Sequence, residues 1–320
     1  MIYDCFTFFN ELDILELRLN ILYNHVDKFV IVEANKTHTG ADKEFIFEKN
    51  KDRFVNFLDK IIYIKVDDFP SLQDSKTSAD GNKWLYENYQ RDAIMRGLAE
   101  CKDDDIIITS DCDEIPRPEA IKEYKTGVAS LVQYRFAYNY NTLYVKAPYS
   151  QSAKITRYCD LIDPKQEIKK NCLKFCEYSK YGLPTYLRFC RGKKIKNAGW
   201  HFSYVGDVNH IKQKMNAIVE QQFNATKWLD SEQILQEIDL GMDILKRGDK
   251  YVNLKISNLF PTYFIDNIEK YQKNIAKKRN ITFLKAKLLF CFYKLFDKTI
   301  EGNKIIFKFF GLKFKYNKGE

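Results

Sequence analysis

The sequence predicts an α/β fold in which a Rossmann-like, mixed but mainly parallel sheet is flanked by helices. Four short apolar segments predict strands, and helical segments lie between them within the first 127 residues. Strands that are apolar on both faces and alternate with helices are typical of parallel βαβ units. Beyond residue 127 the pattern changes to aromatic strands and amphipathic helices, which indicates a mixed second half.

Each element has a local signal. Segments rich in β-branched and aromatic residues predict strands at residues 2–9, 28–34, 60–66 and 105–111. Apolar residues at helical spacing predict helices at residues 11–23, 82–100, 208–225, 230–246 and 283–296. Asn10 is available as the N-cap of the first helix. Two aromatic strands broken near Asn139 predict an antiparallel pair.

The charge distribution separates the end of the chain from the rest. Residues 270–320 contain 14 Lys and Arg against 3 Asp and Glu, whereas the other 269 residues contain 38 against 40. We therefore predict a first half over residues 1–127 and a second half of the same domain over 128–250. A basic, aromatic extension with helical and hairpin character is predicted over 251–320.

Composition excludes several classes of protein. Hydrophobic residues make up 45% and charged residues 30% of the chain, which is typical of a globular protein rather than a disordered one. No apolar run approaches the ~20 residues that span a bilayer. The N-terminus shows no leader-like pattern, and the eight cysteines show no C-x-x-C pair, so we expect reduced thiols in a cytoplasmic protein.

The most informative motif follows the fourth predicted strand. Residues 103–118 read DDDIIITSDCDEIPRP, so the strand runs into Asp111 and Asp113, and Pro116 stops its continuation. Ligands of open parallel sheets bind beyond the carboxyl ends of the strands. Two carboxylates at that edge suit a hard divalent cation that also binds phosphate oxygens. The alternative is that acidic residues simply end a strand in solvent.

Five segments in order along the chain resemble glycosyltransferase family 17. They are YDCFTFFNELDILELRL (3–19), DKFVIVEANKTHTG (27–40), WLYENYQRDAIMRGL (84–98), DDIIITSDCDEIPRP (104–118) and AGWHFSYVG (198–206). The resemblance implies a GT-A fold, with a nucleotide-sugar-binding first half and an acceptor-side second half. It also implies an inverting transfer of N-acetylglucosamine from UDP-GlcNAc to a sugar hydroxyl, with Mn²⁺ or Mg²⁺.

The sequence departs from the family on the acceptor side. Residues 211–224 read IKQKMNAIVEQQFN, without the histidine that the family tends to show in this helix. A surface polysaccharide or lipid-linked saccharide acceptor fits the basic tail better than an N-glycan. Two rival functions stay open: a phosphohydrolase that uses the Asp-x-Asp pair, and a non-catalytic module that binds sugar nucleotides or glycans.

Several residues at strand ends are candidates for binding the donor. Asn10 and Glu11 follow the first strand and Glu33 lies in the second, so all three reach the same sheet edge as Asp111. In a GT-A arrangement these residues would line the uridine and ribose pocket. Glu11 could equally be a first-turn acid that interacts with the helix dipole.

The helix predicted over 82–100 carries a further candidate. Its spacing places Trp84, Asn88 and Arg91 on one face. Arg91 would counter the charge of a diphosphate, since guanidinium groups bind phosphate oxygens bidentately. The alternative is an ordinary amphipathic helix in which Arg91 pairs with Glu87.

The resemblance also implies a metal ligand and a general base late in the chain. His201 would join Asp111 and Asp113 at the metal, although a lone histidine in an apolar strand is more often a core residue. Asp207 is the candidate base, although it could instead cap the following helix. The other acids considered for this role are Asp160, Asp163 and Glu177.

Aromatic residues raise two more questions. Some of Tyr138, Tyr140 and Tyr144 are expected to stack on sugar faces, and the others to be buried strand residues.

In the tail, Lys alternates with Phe, Leu and Ile, and the helical spacing over 283–296 is typical of interfacial anchors. We therefore predict an anionic membrane surface as a partner, at the inner face of the membrane. A docked hairpin is the alternative, and nothing else in the sequence supports nucleic acid.

Overall fold

The computed structural model shows an α/β protein with mixed sheets flanked by helices. It describes residues 1–70, 84–162, 183–218, 221, 224, 229–245, 247–278, 280–301, 304–309 and 312–317. The chain divides into two compact units: mainly Met1–Tyr134 with Ser150–His201, and mainly Arg135–Tyr149 with Phe202–Asn216 and Glu220–Glu320. The three-part division predicted from sequence stays a prediction.

The four apolar strands predicted from sequence are confirmed to within one residue at each end. They are β1 (Ile2–Phe8), β2 (Lys28–Ala34), β3 (Ile61–Val66) and β4 (Ile106–Asp111). The later strands are β5 (Glu114–Pro116), β6 (Ala129–Leu131), β7 (Gln133–Ala137), β8 (Thr142–Tyr144), β9 (Tyr149–Ser150), β10 (Lys154–Arg157), β11 (Lys193–Ile195), β12 (Gly199–Ser203), β13 (Tyr251–Asn253), β14 (Phe296–Glu301), β15 (Lys304–Phe309) and β16 (Leu312–Asn317).

The helices are shorter on average than the sequence predicts. They are α1 (Leu12–Leu22), α2 (Ile46–Lys49), α3 (Leu85–Asp92), α4 (Pro118–Glu123), α5 (Tyr158–Ile162), α6 (Leu183–Phe189), α7 (Val208–Ala217), α8 (Ser231–Asp239), α9 (Thr262–Asp266), α10 (Ile268–Tyr271) and α11 (Phe283–Leu295). 3₁₀ segments lie at Lys51–Lys60, where the backbone is non-helical at Phe54, and at Ala93–Leu98 and Gln272–Asn274.

The single helix predicted over 82–100 is wrong in its second half. α3 ends at Asp92, and a 3₁₀ helix continues the chain to Leu98. This segment lies close against β2, where a Cβ on Gly97 would be 2.4 Å from Cγ1 of Val30. Close packing and the low helix propensity of glycine together favour the tighter turn over a continued α-helix.

Two helix ends also differ from the predictions. The N-cap of α1 is Glu11 rather than Asn10, and no side chain caps this helix. Oε2 of Glu11 instead accepts the backbone N–H groups of Phe9 and Asn10, at 3.2 and 3.1 Å. α8 begins with a capping box between Asp230 and Gln233, and ends at Asp239, two residues before a glycine.

In the first unit, seven strands form one sheet in the order β11–β6–β10–β4–β1–β2–β3. β4, β1, β2 and β3 are parallel, whereas β10 is antiparallel to both β4 and β6. The register places Thr7 beside Asp111 and Phe8 beside Glu33. The carboxyl ends of β1, β2 and β4 therefore meet at one edge, where ligands of such sheets bind.

The second unit has an aromatic core of its own. The prediction that some of the three tyrosines stack on sugar faces is wrong, because all three belong to this core. Tyr138, Tyr140 and Tyr144 are at most 2% exposed, so their rings do not offer faces to a sugar. Each ring packs against other aromatic side chains of this unit, including Tyr251 and Phe264. Aromatic side chains gain most from burying their whole area, and this core gives them that environment.

The described cysteines are all free thiols: Cys5, Cys101, Cys112, Cys159, Cys190 and Cys291. Cys172 and Cys176 lie outside the described residues. Within the described ranges, none of the helices combines the length and the apolar character that crossing a bilayer requires.

We predict that Gly199→Ala lowers the free energy of unfolding by about 2 kcal/mol or more, as measured by urea denaturation. Gly199 has a φ of +137°, and a Cβ there would lie 2.1 Å from the carbonyl oxygen of Ile115 on the paired strand β5. Gly127→Ala is the control, because its φ of +69° is also left-handed but nothing lies within 4 Å. Equal losses for the two variants would contradict the steric explanation.

Candidate active site

β4 ends at Asp111, whose carboxylate is bound by two arginines. Oδ1 of Asp111 accepts from Nη1 of Arg91 at 2.8 Å and from Oγ1 of Thr7 at 3.1 Å. Oδ2 of Asp111 pairs with Nη2 of Arg188 at 2.9 Å. Burial would raise the pKa of Asp111, but the Arg188 and Arg91 guanidinium groups hold it well below its usual value. The carboxylate is therefore charged at any physiological pH.

α3 brings Arg91 to this edge of the sheet, and its role in binding a donor stays a prediction. Nη2 of Arg91 donates to Oε1 of Glu87 one turn earlier, at 3.2 Å, so the predicted Arg91–Glu87 pair is also present. Oε2 of Glu87 lies 3.5 Å from Nδ1 of His38. The arginine is thus fixed by two carboxylates, one on its own helix and one on β4.

Arg188 was not singled out from the sequence. It lies on α6, in a stretch of irregular composition that carried no periodic signal. Its Nη1 lies 3.5 Å from Oε2 of Glu114, and in the described structure this buried nitrogen makes no hydrogen bond. Arg188 therefore faces two carboxylates of the motif, Asp111 through Nη2 and Glu114 through Nη1, and 21% of its side chain is exposed at this edge.

A second group of side chains lies in the turn after β4. β5 pairs with β12 so that Glu114 is opposite His201. Nε2 of His201 is 3.6 Å from Oδ1 of Asp113, and its Nδ1 is 3.9 Å from Oε1 of Glu114. Oε2 of Glu114 also accepts the backbone N–H of Asp111 at 3.1 Å. This hydrogen bond links the end of β4 to the start of β5. The structure thus brings His201 next to the Asp-x-Asp motif, and its role as a metal ligand stays a prediction.

A buried arginine on α1 shapes this turn. Arg18 is fully buried and forms a bidentate pair with Asp4 on β1, at 2.8 and 2.6 Å. Its Nη2 also donates to Oγ of Ser110 at 2.7 Å, and its plane stacks 4.2 Å from the centre of the Phe6 ring. All of these partners belong to the sheet that carries the motif.

The third nitrogen of Arg18 binds the backbone of the motif itself. Nη1 donates to the carbonyl oxygens of Asp111, Cys112 and Glu114, at 2.9, 3.2 and 3.1 Å. Three carbonyl groups that converge on one cation fix the path of the turn that presents Asp113. The sequence did contain a signal for this role, because Arg18 falls on the helix face of Leu15, Leu19 and Leu22.

Glu33, a predicted donor-binding residue, is fully buried and surrounded by donors. Its carboxylate accepts from Lys43, Tyr63 and the backbone N–H groups of Ile46 and Phe47. Glu33 thereby accepts hydrogen bonds from backbone N–H groups that have no partner within α2, which gives it a structural role in the free protein. Asn10 and Glu11 lie at the end of β1, as expected. The donor-binding roles of these residues stay predictions.

Asp207 caps α7, as the structural alternative expected. Its Oδ1 accepts the backbone N–H of His210 at 2.8 Å, and the residue is exposed. Its role as a general base stays a prediction. Among the other acids, Asp160 is buried and pairs with Arg157, whereas Asp163 and Glu177 lie outside the described residues.

The divalent ion that the resemblance implies can be tested against these side chains. In the part of the chain that the structure describes, no three His, Cys, Asp or Glu side chains are grouped to hold a metal. Asp111 is engaged by two arginines, which leaves Asp113 and His201 as the adjacent donors. Mg²⁺-like ions commonly use one or two protein ligands and complete their shell with water and substrate phosphates. The residues present fit that kind of site.

We predict a pH-dependent effect at Asp92, which joins the two helices that carry the arginines. Oδ1 of Asp92 on α3 accepts the N–H of Thr185 on α6 at 2.8 Å, and its buried Oδ2 makes no hydrogen bond. Burial raises the pKa of Asp92 to about 7, although Thr185 and Arg91 oppose the shift. The group therefore favours folding fully below pH ~4, and this contribution is lost as the pH rises through about 7.

Asp92→Asn removes that titration. Relative to the native chain, the variant should gain about 2 kcal/mol of stability between pH 5 and pH 8, measured by urea denaturation at both pH values. Subtracting the native curve cancels the titration of all other groups. A difference between the two proteins that is the same at both pH values would contradict this assignment.

Comparisons with known proteins place the first half of the chain in a family. The model of glycosyltransferase family 17 matches residues 1–162, which include Arg18, Arg91, Asp111 and Asp113. The β-1,4-mannosyl-glycoprotein 4-β-N-acetylglucosaminyltransferase of Homo sapiens is 30% identical over 119 residues, 35% of this chain and 21% of that protein. The enzymes of that name from Rattus norvegicus and Mus musculus are 30% and 29% identical over the same lengths.

These relatives are matched over only about a fifth of their own length. Among solved structures, the 2-C-methyl-D-erythritol 4-phosphate cytidylyltransferase of Francisella tularensis has a TM-score of 0.30 and 10% identity, covering 66% of this chain and 97% of that one. A likeness at that level carries no argument. The family model, by contrast, covers more than half of the 320 residues and confirms the resemblance; four of the five segments lie within the matched residues. The chain belongs to glycosyltransferase family 17.

Proposed function

We propose that the protein transfers N-acetylglucosamine from UDP-GlcNAc to a hydroxyl group of a saccharide acceptor, with a GT-A arrangement of the donor site. The observation that carries the proposal is the pair of arginines at the end of β4. Arg91 and Arg188 converge on Asp111, and part of the Arg188 side chain stays exposed at the sheet edge. The family and the names of the relatives supply the reaction class and the sugar.

The arginines suit the leaving group of this reaction. Breaking the bond to the sugar develops negative charge on the departing diphosphate, and fixed cations stabilise that charge most strongly in a partly dry site. Arg188 is the better placed of the two, since 21% of its side chain is exposed against 4% for Arg91. Asp111 holds both guanidinium groups in position before the donor arrives.

Asp113 and His201 would hold Mn²⁺ or Mg²⁺ beside the same phosphates. A bound divalent ion supplies Lewis-acid stabilisation of the diphosphate as it leaves. Arg18 fixes the turn that carries Asp113, so the carboxylate is oriented by the fold. Orientation by neighbouring hydrogen bonds tunes the ligands of such sites.

We propose inversion at the anomeric carbon, with the acceptor hydroxyl attacking opposite the diphosphate, and a surface polysaccharide or lipid-linked saccharide as the acceptor. Asp207 is the proposed base. Asp207→Asn tests this cleanly, because Asn caps a helix as well as Asp does but cannot take the proton. Transfer that survives the change would remove Asp207 from the mechanism.

A thermal-shift panel tests the proposed donor. UDP-GlcNAc with Mn²⁺ should raise the melting temperature by several degrees, since a ligand that binds only the folded state stabilises it by mass action. GDP-sugars should not, and omission of Mn²⁺ should weaken the shift. Arg188→Met should abolish the shift, whereas Arg96→Met, which removes an exposed arginine paired with Asp68, should not. A preference for GDP-sugars would contradict the donor assignment.

Product analysis separates the reaction from its rivals. A transferase releases UDP only as fast as it glycosylates an acceptor or, slowly, water. A phosphohydrolase would release inorganic phosphate without an acceptor, and a binding module would show the thermal shift without turnover. Either result would overturn the proposed function.

A further inference from the structure

We propose that α11 is a membrane-docking helix whose exposed apolar face inserts into the interface of an anionic lipid surface. The inference is independent of the catalytic proposal, because it concerns only the second unit and the end of the chain. It rests on one solvent-exposed face of α11, on the lysines that border this face, and on the charge of the surrounding segment.

The exposed face of α11 is apolar along its whole length. Leu284, Leu288, Phe292 and Leu295 follow one another at intervals of four, four and three residues, so they share one side of the helix. They are 69%, 64%, 54% and 41% exposed. A soluble surface normally places polar side chains on such a face, and a contiguous apolar stripe indicates a surface that binds something.

The opposite side of the helix is already used. Ala286 is buried, and Leu289, Phe290 and Tyr293 are half-buried on that side. The helix is therefore apolar on both sides, one packed on the protein and one open to solvent. An ordinary surface helix is apolar only on the side that faces the core and polar on the other.

Lysines flank the exposed stripe on both borders. At 100° per residue, Lys287 and Lys294 lie along one edge and Lys285 along the other, and all three are exposed. No acidic residue occurs between Phe283 and Leu295. Helices that lie in the interface of an anionic bilayer show this arrangement: apolar side chains such as leucine and phenylalanine insert between flanking lysines.

The following strands continue the same chemistry. On β16, Leu312, Phe314 and Tyr316 are exposed and alternate with exposed Lys313 and Lys315. Residues 270–320 as a whole have an excess of eleven positive charges. A second copy docked through this face would bring two such segments together and meet like-charge repulsion, whereas anionic lipid headgroups complement them.

Vesicle flotation with the full chain tests the proposal. The protein should float with vesicles of phosphatidylcholine and phosphatidylglycerol at about 0.1 M salt, and much less at about 0.5 M salt or with phosphatidylcholine alone. The double variant Leu288→Gln, Phe292→Gln should lower the vesicle-bound to free ratio at least about tenfold, because two apolar side chains leave the interface.

The matched control is Leu235→Gln, in the middle of α8, with Leu240→Gln, just after its end; these side chains are 50% and 56% exposed and lie outside the tail. This variant should float as the native chain does. Unchanged melting temperatures show that both variants fold. Equal flotation of the tail variant and the native chain would overturn the proposal, as would a native dimer in sedimentation velocity that the tail variant converts to a monomer.

Discussion

Asp113→Asn should lower kcat/KM for sugar transfer by about 100- to 1,000-fold, because it removes one fixed charge from the side chain proposed to hold the ion at the diphosphate. The substitution keeps the size and shape of the side chain. Asp113 is 5% exposed and lies in a turn rather than in the hydrophobic core, so the free energy of unfolding should change by no more than about 1 kcal/mol. Initial rates with UDP-GlcNAc, and urea denaturation of the same preparation, measure the two effects.

The control for this variant is Asp104→Asn. Asp104 precedes the same strand at its other end and is 92% exposed, in a loose pair with Arg157. It should leave both activity and stability unchanged, since exposed ion pairs contribute little. Full activity in Asp113→Asn, at any Mn²⁺ concentration, would remove this carboxylate from the reaction.

Arg18→Met should produce the largest loss of stability, about 3–5 kcal/mol in the free energy of unfolding. The variant leaves Asp4 as a buried charge without its partner, and it removes the donor shared by the carbonyl groups of Asp111, Cys112 and Glu114. Breaking one half of a buried ion pair is much more costly than replacing both halves. Urea denaturation monitored by circular dichroism measures the loss.

Two companion variants make this result interpretable. The double variant Asp4→Asn, Arg18→Met should recover part of the loss, because no buried charge is then unpaired. Arg53→Met, which removes an exposed arginine from its pair with Asp13 and Glu16, should cost no more than about 1 kcal/mol. If Arg18→Met and Arg53→Met were equally stable, the structural role assigned to Arg18 would be wrong.

The parallel part of the fold could be predicted from sequence because its three inner strands, β4, β1 and β2, are mostly buried on both faces. β2 is a nearly continuous run of apolar residues, and β4 begins with three isoleucines that mark where it starts. The location of Asp111 at a ligand-binding edge then follows from topology, since parallel strands end at the same side of the sheet. The Arg91–Glu87 pair could be predicted because it depends only on local helical geometry.

Residues that depend on tertiary contacts could not be found in this way. Arg188 lies on a short helix after a stretch without periodicity, and only the folded chain brings it to Asp111. Arg18 had a detectable signal, a charge within an apolar helix face, but its acceptors are backbone carbonyl groups nearly a hundred residues away. The tyrosines of the second unit were misjudged because burial of an aromatic strand cannot be inferred from alternation alone.

The most direct test of the account is an anomalous difference map from crystals grown with UDP and Mn²⁺. The account predicts one manganese peak at coordination distance from the carboxylate of Asp113, with the β-phosphate of UDP also bound to the ion and a guanidinium nitrogen of Arg188 donating to the diphosphate. Well-ordered UDP and Mn²⁺ at another place, with Asp113 and Arg188 untouched, would contradict it.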